Sequence, residues 1–257
     1  AAARPTRRLR RHDRHDLVVS RRRRAVSPAQ PAPWPPDEQT VTARTAPCPN
    51  CGATIEFLWS SAVQTTCAYC RSILVRHDLD LEKVGTVGDL PPDASPIQRG
   101  TRGRWGTRAF EVVGRIVYRY GRGGWNEWHL RFADGSGGWL SDAQLEYAVS
   151  TLVAAPGGAI PRDPRKLSPG DSVGIAGETY EVSTVTRARY RGVEGELPFE
   201  YWDKREVTFV DLRTPSGKFA TIDYSEDPPL VFAGEFVPFD ALHLVELRTF
   251  EGWPVPR

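Results

Sequence analysis

The sequence lacks any long apolar segment. No window approaches the roughly 18 to 20 uninterrupted apolar residues that a membrane-spanning helix requires. The apolar run Leu17-Val18-Val19 is also too short for the core of a secretory signal, because arginines follow it almost at once. These absences predict a cytoplasmic protein without a transmembrane segment, either soluble or peripheral to the inner membrane.

Familiar catalytic motifs are also missing. The sequence has no H-E-x-x-H and no G-x-S-x-G pattern. All four cysteines belong to C-x-x-C pairs, so none remains as a nucleophile, and His77, His129 and His243 lie far apart in the chain. Gly121-Arg-Gly-Gly124 lacks the Gly-Lys-Ser/Thr of a phosphate-binding loop. We therefore expect a protein that is not an enzyme.

Outside the N-terminal tail the chain has no net positive charge. Residues 1–24 contain ten arginines and carry a net charge of about +8, whereas the rest of the chain sums to about −6. Five prolines follow between residues 28 and 36, a composition typical of an extended linker. We predict that residues 1–45 form a disordered, basic and Pro-rich tail that adds weak, nonspecific nucleic-acid affinity.

The four cysteines form two C-x-x-C pairs. Cys48 and Cys51 bracket Pro-Asn, Cys67 and Cys70 bracket Ala-Tyr, and fifteen residues separate the pairs. Two such turns brought together by a hairpin give the tetrahedral sulfur shell that zinc prefers, and four protein ligands make the metal structural. A pair of disulfides, a redox site and an iron centre are the competing interpretations. We predict a zinc ribbon at residues 46–80.

The remaining sequence predicts strands in two similar sets. Glycine and proline together supply 45 residues, which favours short strands and turns over helices. Gly100 lies ten residues before Phe110-Glu-Val, and Gly170 lies ten residues before Tyr180-Glu-Val. This repeated spacing predicts a mainly β fold, in which the ribbon precedes two related small antiparallel β-modules, barrel- or sandwich-like, at residues 95–152 and 165–250.

Local patterns within the first module give two finer expectations. The segment Asp134-Gly-Ser-Gly-Gly138 has the composition of a hairpin loop, which would let Trp128 and Trp139 face each other in a small core. The segment Ser141-Asp-Ala-Gln144 resembles a capping box and predicts the start of a short helix.

Five residues are candidates for contact with a partner. Trp125, Glu127 and Trp128 lie in a tryptophan-rich stretch of the first module, while Glu196 and Phe199 lie in an insertion specific to the second. The alternatives are a core role for the tryptophans and a solvated loop around Glu196. Four arginines form a further candidate patch for phosphate: Arg115, Arg119, Arg122 and Arg131.

The chain resembles a family of bacterial proteins that carry the domain of unknown function DUF4178, often preceded by a zinc ribbon. Three segments of the first module carry this resemblance: Phe110-Glu-Val-Val-Gly-Arg115, Trp125-Asn-Glu-Trp128 and Gly138-Trp-Leu-Ser141. In the second module the matching segments are Gly-Glu-Leu-Pro-Phe, Val-Asp-Leu and Ala-Thr-Ile-Asp-Tyr-Ser. The resemblance implies two tandem copies of the domain in a cytoplasmic accessory protein, and it brings no catalytic residues.

Together these features predict a zinc-ribbon adaptor or scaffold. Its partner would be a protein, in a membrane-associated stress or envelope system. A nucleic-acid-binding zinc-ribbon protein and a regulatory subunit of an enzyme, with a polar site between the modules, are the alternatives. The acidic body disfavours the first alternative.

Overall fold

The computed structural model describes residues 44–77, 80–87, 95–157, 160–200 and 206–249. The predicted tail therefore lies almost entirely outside the described residues. The described part is mainly β, as the sequence predicts, and contains fifteen strands and two short 3₁₀ turns. None of its helical segments combines the length and apolar character needed to cross a membrane.

The strands of the N-terminal region form two small sheets. Their bounds are Arg44–Pro47 (β1), Thr54–Phe57 (β2), Gln64–Thr66 (β3), Ser72–His77 (β4) and Asp80–Thr86 (β5). Strands β1 and β2 form an antiparallel pair, and β3, β4 and β5 form a three-stranded sheet. Buried and exposed side chains alternate along β2, where Ile55 and Phe57 are buried on either side of the exposed Glu56. Ile55 and Phe57 pack with Trp59 and Leu74 into a separate hydrophobic core.

The remaining ten strands build one large antiparallel sheet. The first set is Arg102–Trp105 (β6), Arg108–Tyr120 (β7), Gly123–Phe132 (β8), Gly137–Ala143 (β9) and Glu146–Leu152 (β10). The second set is Ser172–Ile175 (β11), Glu178–Gly195 (β12), Glu206–Arg213 (β13), Lys218–Asp223 (β14) and Leu230–Phe236 (β15). The 3₁₀ turns span Pro164–Lys166 and Phe239–Leu242.

The large sheet closes on itself through pairs of corresponding strands. Strand β10 pairs with β15, and β7 pairs with β12, so each set of strands joins the other at both ends. Each set also has a core on its outward side: Phe110, Trp128 and Leu130 lie in the first, and Val182 and Leu212 in the second. The opposite faces enclose a third cluster, to which both sets contribute. The inner faces of the two modules therefore meet across a common interior.

The two sets of strands share fine details. The Gly100 N–H donates to the Val112 carbonyl at 2.8 Å, and the Gly170 N–H donates to the Val182 carbonyl at 2.9 Å. Pairing slips by one residue between Val112 and Gly114, and again between Val182 and Thr184. The spacing noticed in the sequence therefore corresponds to matching turns and bulges at equivalent places in the two strand sets.

Two local expectations for the first module are wrong. Instead of opening a helix, residues 141–143 belong to β9, and Gln144 and Leu145 form a tight turn with φ of 53° and 71°. Trp128 and Trp139 do not face each other, because Trp128 pairs with Leu140 while Trp139 pairs with His129. Side chains alternate between the two faces of a sheet. Trp128 therefore packs in the outer core, and Trp139 packs in the interior between the modules.

The junction between β10 and β15 depends on a glycine. Gly234 pairs with Ser150, and a Cβ at Gly234 would contact the Val149 carbonyl. We expect Gly234→Ala to force these strands apart and to lower the free energy of unfolding by about 1–3 kcal/mol, measured by urea denaturation. Gly174→Ala on edge strand β11 is the matched control, because nothing lies within 4 Å of its added Cβ. Equal losses in both variants would contradict the close approach.

Candidate metal centre and the cavity between the modules

Each C-x-x-C pair forms the same tight turn. The Cys48 carbonyl accepts from the Gly52 N–H at 2.8 Å, and the Cys67 carbonyl accepts from the Arg71 N–H at 3.0 Å. Gly52 and Arg71 both have left-handed φ values, 75° and 61°. Glycine adopts this conformation without strain, which explains Gly52 after the first pair, whereas Arg71 adopts it with a side chain.

The two turns bring all four thiols together. The sulfurs of Cys48, Cys51, Cys67 and Cys70 lie within 4.8 Å of one another. Two of the separations are 3.6 Å, between Cys48 and Cys70, and 3.7 Å, between Cys51 and Cys67. A tetrahedral centre with metal–sulfur bonds of about 2.3 Å requires sulfurs about 3.8 Å apart. The observed separations therefore fit a single metal ion. All four cysteines are free thiols and can serve as its ligands.

One of these thiols is favoured as a thiolate, the form that binds metal. Hydrogen bonds from Ser72 and Asn50 lower the pKa of the Cys70 thiol to about 5. Cys48 and Cys67 are buried, whereas Cys51 is exposed. The site therefore lies at the edge of the N-terminal region, and metal can reach it from solvent.

Glu196 connects the region of the candidate metal site to the large sheet. Its carboxylate accepts from the Leu58 N–H at 2.7 Å and from the Trp59 N–H at 2.8 Å. The next residue, Leu197, pairs with Gln64 of β3 through backbone hydrogen bonds. Glu196 is only 3% exposed, and its burial raises the pKa of the carboxyl to about 7. The expected solvated loop is wrong for this residue, because Glu196 holds two parts of the chain together.

An imidazole lies beside this junction. His129 Nδ1 is 2.9 Å from the Glu196 carbonyl oxygen, and the His129 ring lies between Trp59 and Trp139 at 4.7 and 5.0 Å. Burial lowers the pKa of His129 to about 4. The ring is therefore neutral at pH 7 and fills space between the ribbon and the interior of the sheet.

The inner faces of the two modules enclose a cavity. An open part of about 1050 Å³ adjoins an inner pocket of about 40 Å³. Residues from strands of both modules line it, and four of them belong to both parts: Glu127, Ser141, Phe209 and Thr221. Polar and aromatic side chains converge here in a space large enough for a ligand.

Three of the carboxyl groups that line this cavity have raised pKa values. Burial raises the pKa of Glu127 to about 8, and the negative charges of Asp211 and Asp223 add to the rise. Burial also raises the pKa of Asp223 to about 6 and that of Asp211 in the same direction. Perturbed carboxyl groups in a cleft are typical of functional sites.

The structure separates the five candidate partner residues into two groups. Trp125, Glu127 and Phe199 line the cavity, where Trp125 Nε1 donates to Glu127 at 2.8 Å and Phe199 lies 5.8 Å from the Trp139 ring. Trp128 is 1% exposed in the outer core of the first module, and Glu196 is buried against the ribbon. Neither of the latter two offers a surface to a partner.

The candidate arginine patch is also divided. Arg115 is buried, bonds Asn126 at 2.7 Å and lies over the Trp128 ring at 4.7 Å. Arg131 bonds Glu111 at 2.6 Å and the Leu58 carbonyl at 2.8 Å. Arg119 and Arg122 are exposed. Two of the four arginines therefore serve internal contacts, and the patch does not form one basic surface.

Sequence reasoning missed Asp211 and Asp223 as site residues. Both stand inside strands between apolar neighbours, in Val210-Asp-Leu212 and Ile222-Asp-Tyr224. Aspartate is depleted in strands, so an aspartate at such a position was the available signal. Their convergence with Glu127 depends on how the modules face each other, which the sequence does not specify locally.

The fold and the site define an all-β protein with a four-cysteine candidate metal site and a cavity between two strand sets. The chain belongs to the family described as domain of unknown function (DUF4178), whose sequence profile matches residues 98–239, more than half of the chain. One match spans both modules. No curated protein and no solved structure matches the chain significantly.

The metal site generates a first test. We expect Cys67→Ser to abolish stoichiometric metal binding and to unfold the N-terminal region, because one ligand of the tetrahedral shell is lost. Elemental analysis of the purified protein measures the metal and identifies it. Tyr69→Ser is the matched control, since Tyr69 lies in the same turn and is 78% exposed. A Cys67→Ser protein that retains one metal ion per chain and an ordered ribbon would contradict the site.

The Glu196 junction generates a second test. Glu196→Gln replaces one acceptor oxygen with an N–H donor facing a backbone N–H, so we expect a loss of about 1–3 kcal/mol and faster hydrogen exchange at Leu58 and Trp59. Glu200→Gln, an exposed change nearby, should leave both unchanged. Unchanged exchange in Glu196→Gln would rule out the junction.

The pH dependence of this effect has a definite sign. The pKa of Glu196 rises from 4.5 to about 7 on folding, so the folded chain binds its proton more tightly than the unfolded chain. Its contribution to stability is complete below pH 4.5 and is lost as the pH rises through 7. Because glutamine does not titrate, the stability advantage of the wild type over Glu196→Gln should decrease across this interval. Urea denaturation at several pH values measures it.

Proposed function

We propose that this protein is a zinc-stabilised, non-enzymatic adaptor that holds a protein partner over the cavity between its modules. The observation that carries the proposal is the cavity itself, because three of the residues expected to contact a partner line it: Trp125 and Glu127 in the open part, and Phe199 in the inner pocket. Partly buried aromatic side chains beside charged groups are enriched where proteins bind each other.

The edge of the cavity supports a protein as the partner. Val185 borders the open part and is 37% exposed, and Leu145, which is 71% exposed, follows Gln144 of the same lining in a tight turn. Apolar side chains of this size around a concave surface favour contact with another macromolecule. Arg122, Arg187 and Arg213 surround them and supply a polar rim.

Zinc is the metal that the donor set favours. Four thiolates in a compact tetrahedral arrangement suit zinc, and an iron centre is the competing occupant. Four protein ligands leave no coordination position for substrate, so the proposed role of the metal is to stabilise the ribbon. Its binding free energy then contributes directly to folding.

The proposal places the protein in the bacterial cytoplasm or at the inner membrane, in a membrane-associated stress or envelope system. Free thiols are maintained in reducing compartments, which supports the cytoplasm. The further expectation that the two modules are tandem copies of one ancestral unit is supported by their matching turns and bulges.

The adaptor role is tested by affinity purification of the tagged full chain from its native cells, with membranes intact and solubilised. We expect Leu145→Asp combined with Val185→Asp to reduce recovery of the partner at least tenfold, because two charged side chains would replace the exposed apolar ones at the edge of the cavity. Leu152→Asp, at a site 55% exposed outside the cavity lining, is the control. Proteins retained equally by both variants would contradict this surface, and recovery of nucleic acid alone would favour the nucleic-acid alternative.

A further inference from the structure

We propose that the cavity between the modules binds an organic cation, an alkylammonium or guanidinium group, with its charge against Glu127 and its carbon chain along Trp125 and Phe209. The inference rests on the proposed function in one respect, because the cation could be a lysine or arginine side chain of the partner. A free organic amine has the same chemistry.

The position of Glu127 supports a buried contact with a ligand. It lies where the inner pocket meets the open cavity and belongs to the lining of both. The Ser141 hydroxyl donates to both carboxylate oxygens, at 3.0 and 2.8 Å, and Trp125 Nε1 donates to one of them. A carboxylate has about four acceptor positions. These two donors therefore orient Glu127 and leave capacity for a further donor from the cavity.

The walls beside Glu127 are aromatic. Trp125 stacks on Tyr118 with ring centres 4.9 Å apart. Trp125 and Phe209 form a T-shaped pair with ring centres 5.5 Å apart. These contacts fix the orientation of Trp125 and Phe209, both of which line the open part of the cavity. Tryptophan faces attract ammonium and guanidinium groups, and the attraction increases where water is excluded. The aromatic wall therefore selects the same sign of charge as the carboxyl groups.

The charges around the cavity are segregated by depth. Asp223 lines the inner pocket, and Asp211 lines the open part beside Glu127. The charge of Arg213 offsets part of the rise that burial causes in the pKa of Asp211. The Arg213 side chain is nevertheless exposed and lies over Phe236 at 5.6 Å. Arg122, Arg187 and Glu146 are likewise exposed at the rim. A cation that reaches Glu127 therefore meets carboxyl groups, whereas an anion would be held at the arginines.

Buried carboxyl groups without a nearby cation are costly. The raised pKa values of Glu127 and Asp223, about 8 and 6, express this cost. A bound cation would favour the ionised forms and lower both pKa values. At pH 7 the binding of a cation should therefore release protons from the cavity, chiefly from Glu127.

Calorimetry on the full chain tests the inference with two probes, n-butylammonium chloride and a capped Gly-Lys-Gly peptide. We expect at least one probe to bind at pH 7 and to release protons, measured as heats that differ between buffers of different ionisation enthalpy. Butanol and a capped Gly-Gln-Gly peptide are the uncharged controls and should not bind. Binding of butylammonium alone identifies a free amine as the ligand, and binding of the peptide alone identifies a protein side chain. Failure of both probes overturns the inference.

Variants locate the site. Glu127→Gln should weaken binding of the effective probe at least tenfold and remove most of the proton release. Glu181→Gln is the matched control, because Glu181 is exposed on β12 and does not line the cavity. Phe209→Leu is a second variant, which keeps every carboxyl group and should weaken binding at least threefold through the lost aromatic face. Unchanged binding in Glu127→Gln, with near-ultraviolet circular dichroism as for the wild type, overturns the inference.

The outcomes separate this inference from the adaptor role. If amines bind but no partner is recovered, the cation site stands and the adaptor proposal fails. If a partner is recovered through the rim and neither butylammonium nor the lysine peptide binds, the adaptor proposal stands and the cation site fails.

Discussion

The arrangement of this protein depends on the short segment that follows β12. Within four residues, Glu196 accepts two backbone N–H groups of the ribbon, Leu197 pairs with Gln64, and Phe199 enters the cavity wall. The same segment lies against the first module, where a Cβ at Gly114 would meet the Glu196 backbone. An insertion present in only one strand set thus fixes the ribbon, the first module and the interior relative to one another.

Closure of the large sheet explains why its interior differs from an ordinary core. Each module already has an outer apolar core on one face of its strands. The inner faces therefore do not have to supply all of the apolar packing of the modules. Polar residues such as Glu127 and Asp223 can lie there among aromatic rings. Their raised pKa values show that this placement opposes stability. Carboxyl groups with perturbed pKa values in a cleft are typical of functional sites, which supports the proposed cation site.

The sequence identified features that depend on local spacing. The cysteine pairs predicted the four-sulfur cluster, and the frequent glycines and prolines predicted short strands and turns in place of helices. The predictions from sequence failed for features whose geometry is set by tertiary contacts. The hairpin loop before Trp139 sets a register that places Trp139 opposite His129, and a one-residue difference in register reverses the face. The role of Glu196 was invisible because its partners lie 137 and 138 residues away.

A continuous row of rings connects the ribbon to the cavity. Trp59 of the ribbon lies 4.7 Å from His129, His129 lies 5.0 Å from Trp139, and Trp139 lies 5.8 Å from Phe199 in the inner pocket. The lowered pKa of His129 requires Trp59 and the Glu196 segment to keep water away from it. If the ribbon separates from the sheet, His129 loses its contact with Trp59 and becomes hydrated. The folding of the N-terminal region, where the candidate metal site lies, is therefore coupled through His129 to the packing of Trp139 in the cavity wall.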